Sequence, residues 1–200
     1  MVASSLSAFD QISALRPKSI LDVVPRECFL ELGQPGYEHI GNGNCYEWKY
    51  AIAKYLQPKS ILEIGVRYGY SLCSFIAGCE ASYIEGMDAE IYVAASNMVA
   101  SSSLGRLQKP IQASFRKVDS QMVRSLDRSF DLIHIDSSHT YEGCLHDLWL
   151  CVGHTKTILV DDTITCSEDM KAVKEFCRES FVKDVLHIPS HVGESLIFLR

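Results

Sequence analysis

The segment Ile61-Leu-Glu-Ile-Gly-Val-Arg-Tyr-Gly-Tyr-Ser71 decides how this chain folds. A β-rich apolar run ends around Glu63, Gly65 and Gly69 follow, and Tyr70-Ser-Leu-Cys-Ser-Phe-Ile-Ala-Gly78 then continues as a helical pattern. The reading is strand, tight turn, helix. Glycines at 65 and 69 free the backbone to turn sharply and let a ligand approach the positive end of the helix. The same two glycines would equally serve an ordinary strand-to-helix turn. The pattern is not G-x-G-x-x-G, because Glu63 stands where the first glycine belongs, and a dinucleotide reading is weakened accordingly.

Working outward from this segment, short apolar runs alternate with helical patterns from residue 59 onward. KSILEIG, ASYIEGMD, IQASFRKV, FDLIHID and TKTILVDD read as strands; YSLCSFIAG, EIYVAASNMVASSSL, SQMVRSL, YEGCLHDLWLCV and SEDMKAVKEFCRES read as helices. This alternation predicts a Rossmann-like, doubly wound α/β fold: a mostly parallel seven-stranded sheet between two helical layers. The closing runs DVLHIP and SLIFLR have only SHVGE between them, too short for a crossover helix, so they form an antiparallel hairpin at one edge.

At 200 residues and 47% apolar, the chain can bury one full core, and a single domain over 1–200 is expected, with 1–58 as a helical cap segment and 59–200 as the core. In the cap, Trp48, Ile52, Tyr55 and Leu56 share a helical face expected to pack on the sheet edge, after a Pro/Gly-rich stretch, ELGQPGYEHIGNGN, that could cover a site. A net charge of −6 without a basic stripe argues against nucleic acid as a partner. No apolar run approaches a bilayer span, no leader pattern opens the chain, and a cytoplasmic location is the expectation. The eight cysteines, at 28, 45, 73, 79, 144, 151, 166 and 177, include no C-x-x-C pair and several lie in apolar helical patterns; they are expected to be buried free thiols.

The strand ends carry the chemistry. Asp88 closes the second strand, where a carboxylate can accept both hydroxyls of a ribose, or else cap the helix beginning near Glu90. Asp119, Ser120 and Gln121 follow the third strand, placed for a base edge or for routine capping. Asp136 ends the fourth strand with His139 three residues later, and Asp161 and Asp162 end the fifth. Neighbouring strand tips lie about 4.8 Å apart, so three carboxylates should converge. Such a cluster repels itself unless a proton or cation intervenes; hard oxygen donors favour a magnesium-like ion, and His139 could act beside it as a general base. The alternative is that the two acids cap the next turn and His139 is a loop residue.

Together these motifs resemble class I S-adenosylmethionine-dependent methyltransferases from about Trp48 to Arg200. Glu63-Ile-Gly65 through Gly69 looks like their first motif and Asp88 like their ribose acid. Gly69-Tyr-Ser71 and Asp119-Ser-Gln121 are similar to segments that contact the cofactor's methionine end and adenine in catechol O-methyltransferases. The Asp136-Ser-Ser-His-Thr-Tyr-Glu-Gly143 run is similar to macrocin- and mycinamicin-type sugar O-methyltransferases, where histidine replaces the lysine base and two acids end the fifth strand. The resemblance implies Glu63, Gly65, Gly69, Ser71, Asp88, Asp119 and Ser120 around S-adenosylmethionine, Asp136, Asp161 and Asp162 on magnesium or a similar divalent cation, and His139 as base. It implies O-methylation of a small-molecule hydroxyl, and small enzymes of this type often form homodimers. Rival expectations are a metal-independent methyltransferase and a cofactor-binding module without catalysis.

Overall fold

Strand β1 (Ser60–Ile64) lies inside the sheet, with side chains buried on both of its faces. It pairs in parallel with β2 (Tyr83–Asp88) and with β4 (Leu132–Ile135). β3 (Gln112–Lys117) extends the sheet beyond β2, and β5 (Thr157–Val160) beyond β4, both in parallel. β6 (Val182–Ile188) and β7 (Glu194–Leu199) form the expected antiparallel pair, with β7 inserted against β5 and β6 at the edge. The seven-stranded order is thus β3-β2-β1-β4-β5-β7-β6. This computed structural model describes residues 6–24, 44–67, 69–89 and 111–200. The helix expected within residues 90–104, Cys28 and nearly all of the Pro/Gly-rich stretch lie outside the described residues.

Strand periodicity sorts the core into two layers. Ile61, Ile84, Leu132, Leu159 and Leu196 face helices α1 (Ala8–Leu15), α2 (Cys45–Leu56) and α3 (Tyr70–Gly78). Leu62, Ile64, Ile133, Ile135, Ile158 and Val160 face α4 (Tyr141–Cys151) and α5 (Ser167–Phe176). Each fully buried side chain of this size contributes roughly 1.5–3 kcal/mol. The cysteines of α2, α3 and α4 sit in these layers as free thiols, with Cys166 and Cys177 partly exposed.

Two expectations change. Helix α2 packs chiefly on α1 and α3 rather than on a sheet edge, at so close a range that a Cβ at Gly78 would lie 2.4 Å from the Tyr50 carbonyl oxygen. The stretch SQMVRSL contributes only a single 3-10 turn, Ser120–Met122. Its Ser120 and Gln121 side chains are tied to Asp147 of α4, and the chain is already extended at Val123. Among the described residues no helix is long and apolar enough to cross a membrane.

Candidate active site

The strand order reverses between β1 and β4, so the loops leaving these two tips part in opposite directions and open a crevice. A cleft of about 690 Å³ lies there, lined from the tips of β1, β2, β3, β4 and β5. Gly65, at φ +89°, hydrogen-bonds through its N–H to the Met87 carbonyl. A Cβ at this position would fall 1.9 Å from the Asp136 carbonyl oxygen, so the residue is glycine because the β4 tip passes directly over it. Gly69, at φ +76°, heads α3.

At the near end of the cleft, Asp88 accepts the Arg67 N–H at 2.7 Å, tying the β2 tip to the glycine turn. Asp119 caps the 3-10 turn by accepting the Gln121 N–H at 3.0 Å. Ser120 is buried and donates to Asp147 Oδ2 at 3.0 Å, as does Ser137 of the β4 tip at 2.5 Å. Gln121 Nε2 reaches Asp147 Oδ1 at 3.3 Å. Asp147 is fully buried and had no place among the sequence candidates, yet it joins the loops after β3 and β4 to α4. Gly65, Gly69, Asp88, Asp119 and Ser120 all line the cleft.

Glu63 and Ser71 are not among the lining residues. Glu63 lies opposite His134 in the register and hydrogen-bonds with its Nδ1 at 2.9 Å inside the core, where Phe75 packs edge-on against the imidazole. Burial, and then the nearby Asp136 charge, push the Glu63 carboxyl well above the usual carboxylate range. Burial, and then Lys49, pull His134 down to about 3, so the imidazole is neutral at physiological pH. Ser71 is buried within the first turn of α3.

At the far end, donor atoms of Asp136, His139 and Asp162 lie within 4.8 Å of one another. Asp162 sits at φ +58°, a conformation that Asp tolerates better than most residues, and its Oδ1 accepts the Thr165 hydroxyl at 2.6 Å. Burial and the charge of Asp161 raise the Asp136 carboxyl well above its ordinary value, as expected of acids crowded together. Asp161 stands outside this group of three. Its Oδ2 accepts from Lys49 Nζ at 2.9 Å, while Oδ1 is buried without a hydrogen-bond partner. The same fully buried ammonium donates to Glu194 Oε1 at 2.9 Å. Burial alone would lower the Lys49 pKa, but Asp161 and Glu194 together outweigh it and hold the lysine charged.

His139 is half exposed and bridges two sides: Nδ1 lies 3.0 Å from Asp169 Oδ2 of α5, and Nε2 lies 3.6 Å from Asp162 Oδ2. The Asp169 hydrogen bond raises the imidazole to about 9, against the opposing effect of burial. When the ring is neutral with its proton on Nδ1, bonded to Asp169, the Nε2 lone pair is directed toward the acids of the cleft. Lys49, Glu194, Asp147 and Asp169 are the residues that sequence reasoning missed. Lys49 did leave a signal, because it shares the helical stripe of Cys45, Ile52 and Ala53, all buried.

The hard oxygens of Asp136 and Asp162, the raised Asp136 carboxyl and the orphaned Asp161 oxygen suit a divalent cation, with Asp161 held back by Lys49. The cleft beside Asp88 and Asp119 likewise suits a nucleoside, offering carboxylates at two adjacent strand tips and a glycine-headed helix.

A methyltransferase-domain family model matches residues 62–170 of the chain. None of the curated proteins compared matches it. Among solved structures, the O-methyltransferase TomG of Streptomyces achromogenes, of tomaymycin synthesis and in complex with SAM, is 14% identical, with a TM-score of 0.61 over 94% of this chain and 92% of that one. A SAH-bound methyltransferase of Podospora anserina is 19% identical, at TM-score 0.60 over 96% and 94%. An O-methyltransferase of Bacillus cereus in complex with SAH is 15% identical, at TM-score 0.60 over 94% and 100%. At these identities the likeness is one of fold.

Proposed function

The chain belongs to the methyltransferase-domain family, and from that premise we propose that it transfers the methyl group of S-adenosylmethionine to the hydroxyl oxygen of a small molecule, assisted by a divalent cation such as magnesium. One observation carries the reading: a single cleft joins Asp88 and Asp119 at one end to Asp136, His139 and Asp162 at the other. The first pair suits a nucleoside and the second set suits an acceptor hydroxyl that must lose its proton.

S-adenosylmethionine supplies a methyl group activated by its sulfonium. Asp88 would hold the ribose, Asp119 and Ser120 would border the adenine, and Gly65 and Gly69 would shape the turn beneath the methionine part. Asp147 keeps Ser120 and Ser137 in place, so that both ends of the cleft keep their spacing. At the far end, Asp136 and Asp162 would hold the cation, whose chemistry is to lower the pKa of the acceptor hydroxyl. His139, oriented by Asp169, would take the hydroxyl proton at Nε2. Holding the two reactants in line can supply ~7–11 kcal/mol of the barrier.

Calorimetry of the pure protein tests the cofactor half. S-adenosylmethionine or its demethylated product is expected to bind, and Asp88→Ala to weaken binding by roughly 10–150-fold, as for loss of about 1.5–3 kcal/mol of hydrogen bonding to a charged group. Unchanged affinity in the variant would remove Asp88 from the ribose; no binding by the wild type would sink the cofactor assignment.

The buried Lys49 favours a second reading, in which its ammonium neutralises the acid cluster and methyl transfer needs no metal. Chelation separates the two. Metal-assisted transfer should be lost on treatment with a chelator and restored by magnesium or manganese, and Asp136→Asn should weaken manganese binding measured by electron paramagnetic resonance. Activity indifferent to the chelator decides for the lysine.

A further inference from the structure

The imidazole of His139 stands between two different sets of donors. Its Nε2 faces the carboxylates of the cleft, whereas Nδ1 faces away from them, toward Asp169 and Cys166 at the start of α5. Donor atoms of His139, Asp169 and Cys166 lie within 4.8 Å of one another. Cys166 occupies the N-cap position of α5 but makes no side-chain cap; its thiol instead donates to the His139 carbonyl at 3.5 Å. Asp169 is 3% exposed: Oδ2 is bonded to His139, the buried Cys144 thiol interacts with the same carboxyl, and Oδ1 has no regular hydrogen bond. A buried carboxylate so sparsely hydrogen-bonded carries a desolvation cost that a cation bound to either of its oxygens would relieve.

We propose that His139, Asp169 and Cys166 form a second metal site, for zinc or a similarly thiophilic divalent cation. The donor set selects the metal: sulfur and imidazole suit zinc and cobalt, whereas magnesium prefers the all-oxygen environment across the ring. Three protein donors on a partly exposed loop and helix end leave a fourth position open, in keeping with a tetrahedral ion. On binding, Cys166 gives up its thiol proton and Nδ1 gives its lone pair to the metal, so the proton that remains on the neutral ring resides on Nε2. Nε2 then has no lone pair with which to accept a proton. Zinc at this site therefore inhibits; this consequence rests on the proposed role of His139, while the site itself does not.

Cobalt(II) is the probe, because a sulfur-to-cobalt charge-transfer band in the near ultraviolet reports thiolate coordination and is silent for the oxygen cluster. The expected result is that band saturating at one thiolate-bound cobalt per chain, displaced by zinc, retained in Asp136→Ala and absent from Cys166→Ser. Serine is a favourable N-cap, so this variant preserves the start of α5. Zinc affinity is expected to fall at least about 10-fold in Cys166→Ser and in Asp169→Asn. Absence of the band from the wild type, or its survival in Cys166→Ser, overturns the proposal. Failure to methylate any hydroxyl acceptor would count against O-methylation and leave the optical result standing.

Discussion

His139→Ala is expected to lower single-turnover methyl transfer by roughly 10²–10⁴-fold, the usual range for losing a positioned base. The geometry supports a value in that range. Nδ1 is held at 3.0 Å by a carboxylate that is itself buried, so the ring is oriented before any acceptor arrives. Nε2 points toward the acids at the β4 and β5 tips, where a hydroxyl beside Asp136 and Asp162 would stand. Cofactor affinity should stay near the wild-type value, because Asp88 and Asp119 lie at the other end of the cleft. A protonated imidazole cannot accept a proton, so the wild-type rate should climb with pH as the ring loses its charge, and the alanine variant should lack that rise. The measurement is a single-turnover pH series with an acceptor drawn from a hydroxyl-compound panel. A variant that keeps most of its activity assigns His139 to loop structure.

Much of the scaffold was legible because strand and helix periods are local properties. The order of β-rich and helical runs implied the parallel sheet, and the five residues between the last two strands implied the antiparallel pair. The acids at strand tips were legible for the same reason: a polar residue ending an apolar run lies where a strand leaves the sheet. What each acid faces was harder to read. Asp161 and Asp162 are adjacent in the chain, but one faces a core lysine 112 residues away in sequence and the other faces His139. The place of Glu63 in the first motif points to the cofactor, but its side chain does not reach the cleft. The period-two alternation of β1 puts it on the same face as Ile61, opposite Leu62 and Ile64, and so into the layer under α3. The stretch SQMVRSL has a helical pattern, but tertiary hydrogen bonds to Asp147 stop it after one turn.

Lys49→Met is expected to destabilise the fold by about 3–5 kcal/mol, the cost of removing one member of a buried ion pair and leaving the Asp161 carboxylate uncompensated. The side chain is fully buried, and its ammonium is the only cation bonded to both Asp161 and Glu194 among the described interactions. Methionine fills a similar volume, so the loss is electrostatic rather than a cavity. Replacing all three groups, with Lys49→Met, Asp161→Asn and Glu194→Gln together, should recover much of the loss, because a buried ionic network is often matched by neutral groups of the same shape. The protonation state of the group has its own signature. Burial pushes the Glu194 carboxyl up to about 8, whereas its ordinary value is 4.5. An acid with a higher pKa in the folded than in the unfolded state binds its proton more tightly when folded. The stability it contributes is therefore fully present below 4.5 and is lost as pH rises through 8. Asp161 behaves oppositely: burial opposes its ionisation, but Lys49 overrides this and holds its pKa below the ordinary 3.8, so its contribution is lost only in acid. Denaturant unfolding across this range should show wild-type stability falling toward alkaline pH, with a shallower fall in Glu194→Gln. In Lys49→Met, acidification should recover part of the deficit, because a proton on Asp161 then replaces the missing ammonium. Parallel pH profiles for the wild type and Glu194→Gln would show that Glu194 is already ionised beside Lys49 at neutral pH, and that the triad carries a net negative charge into the core.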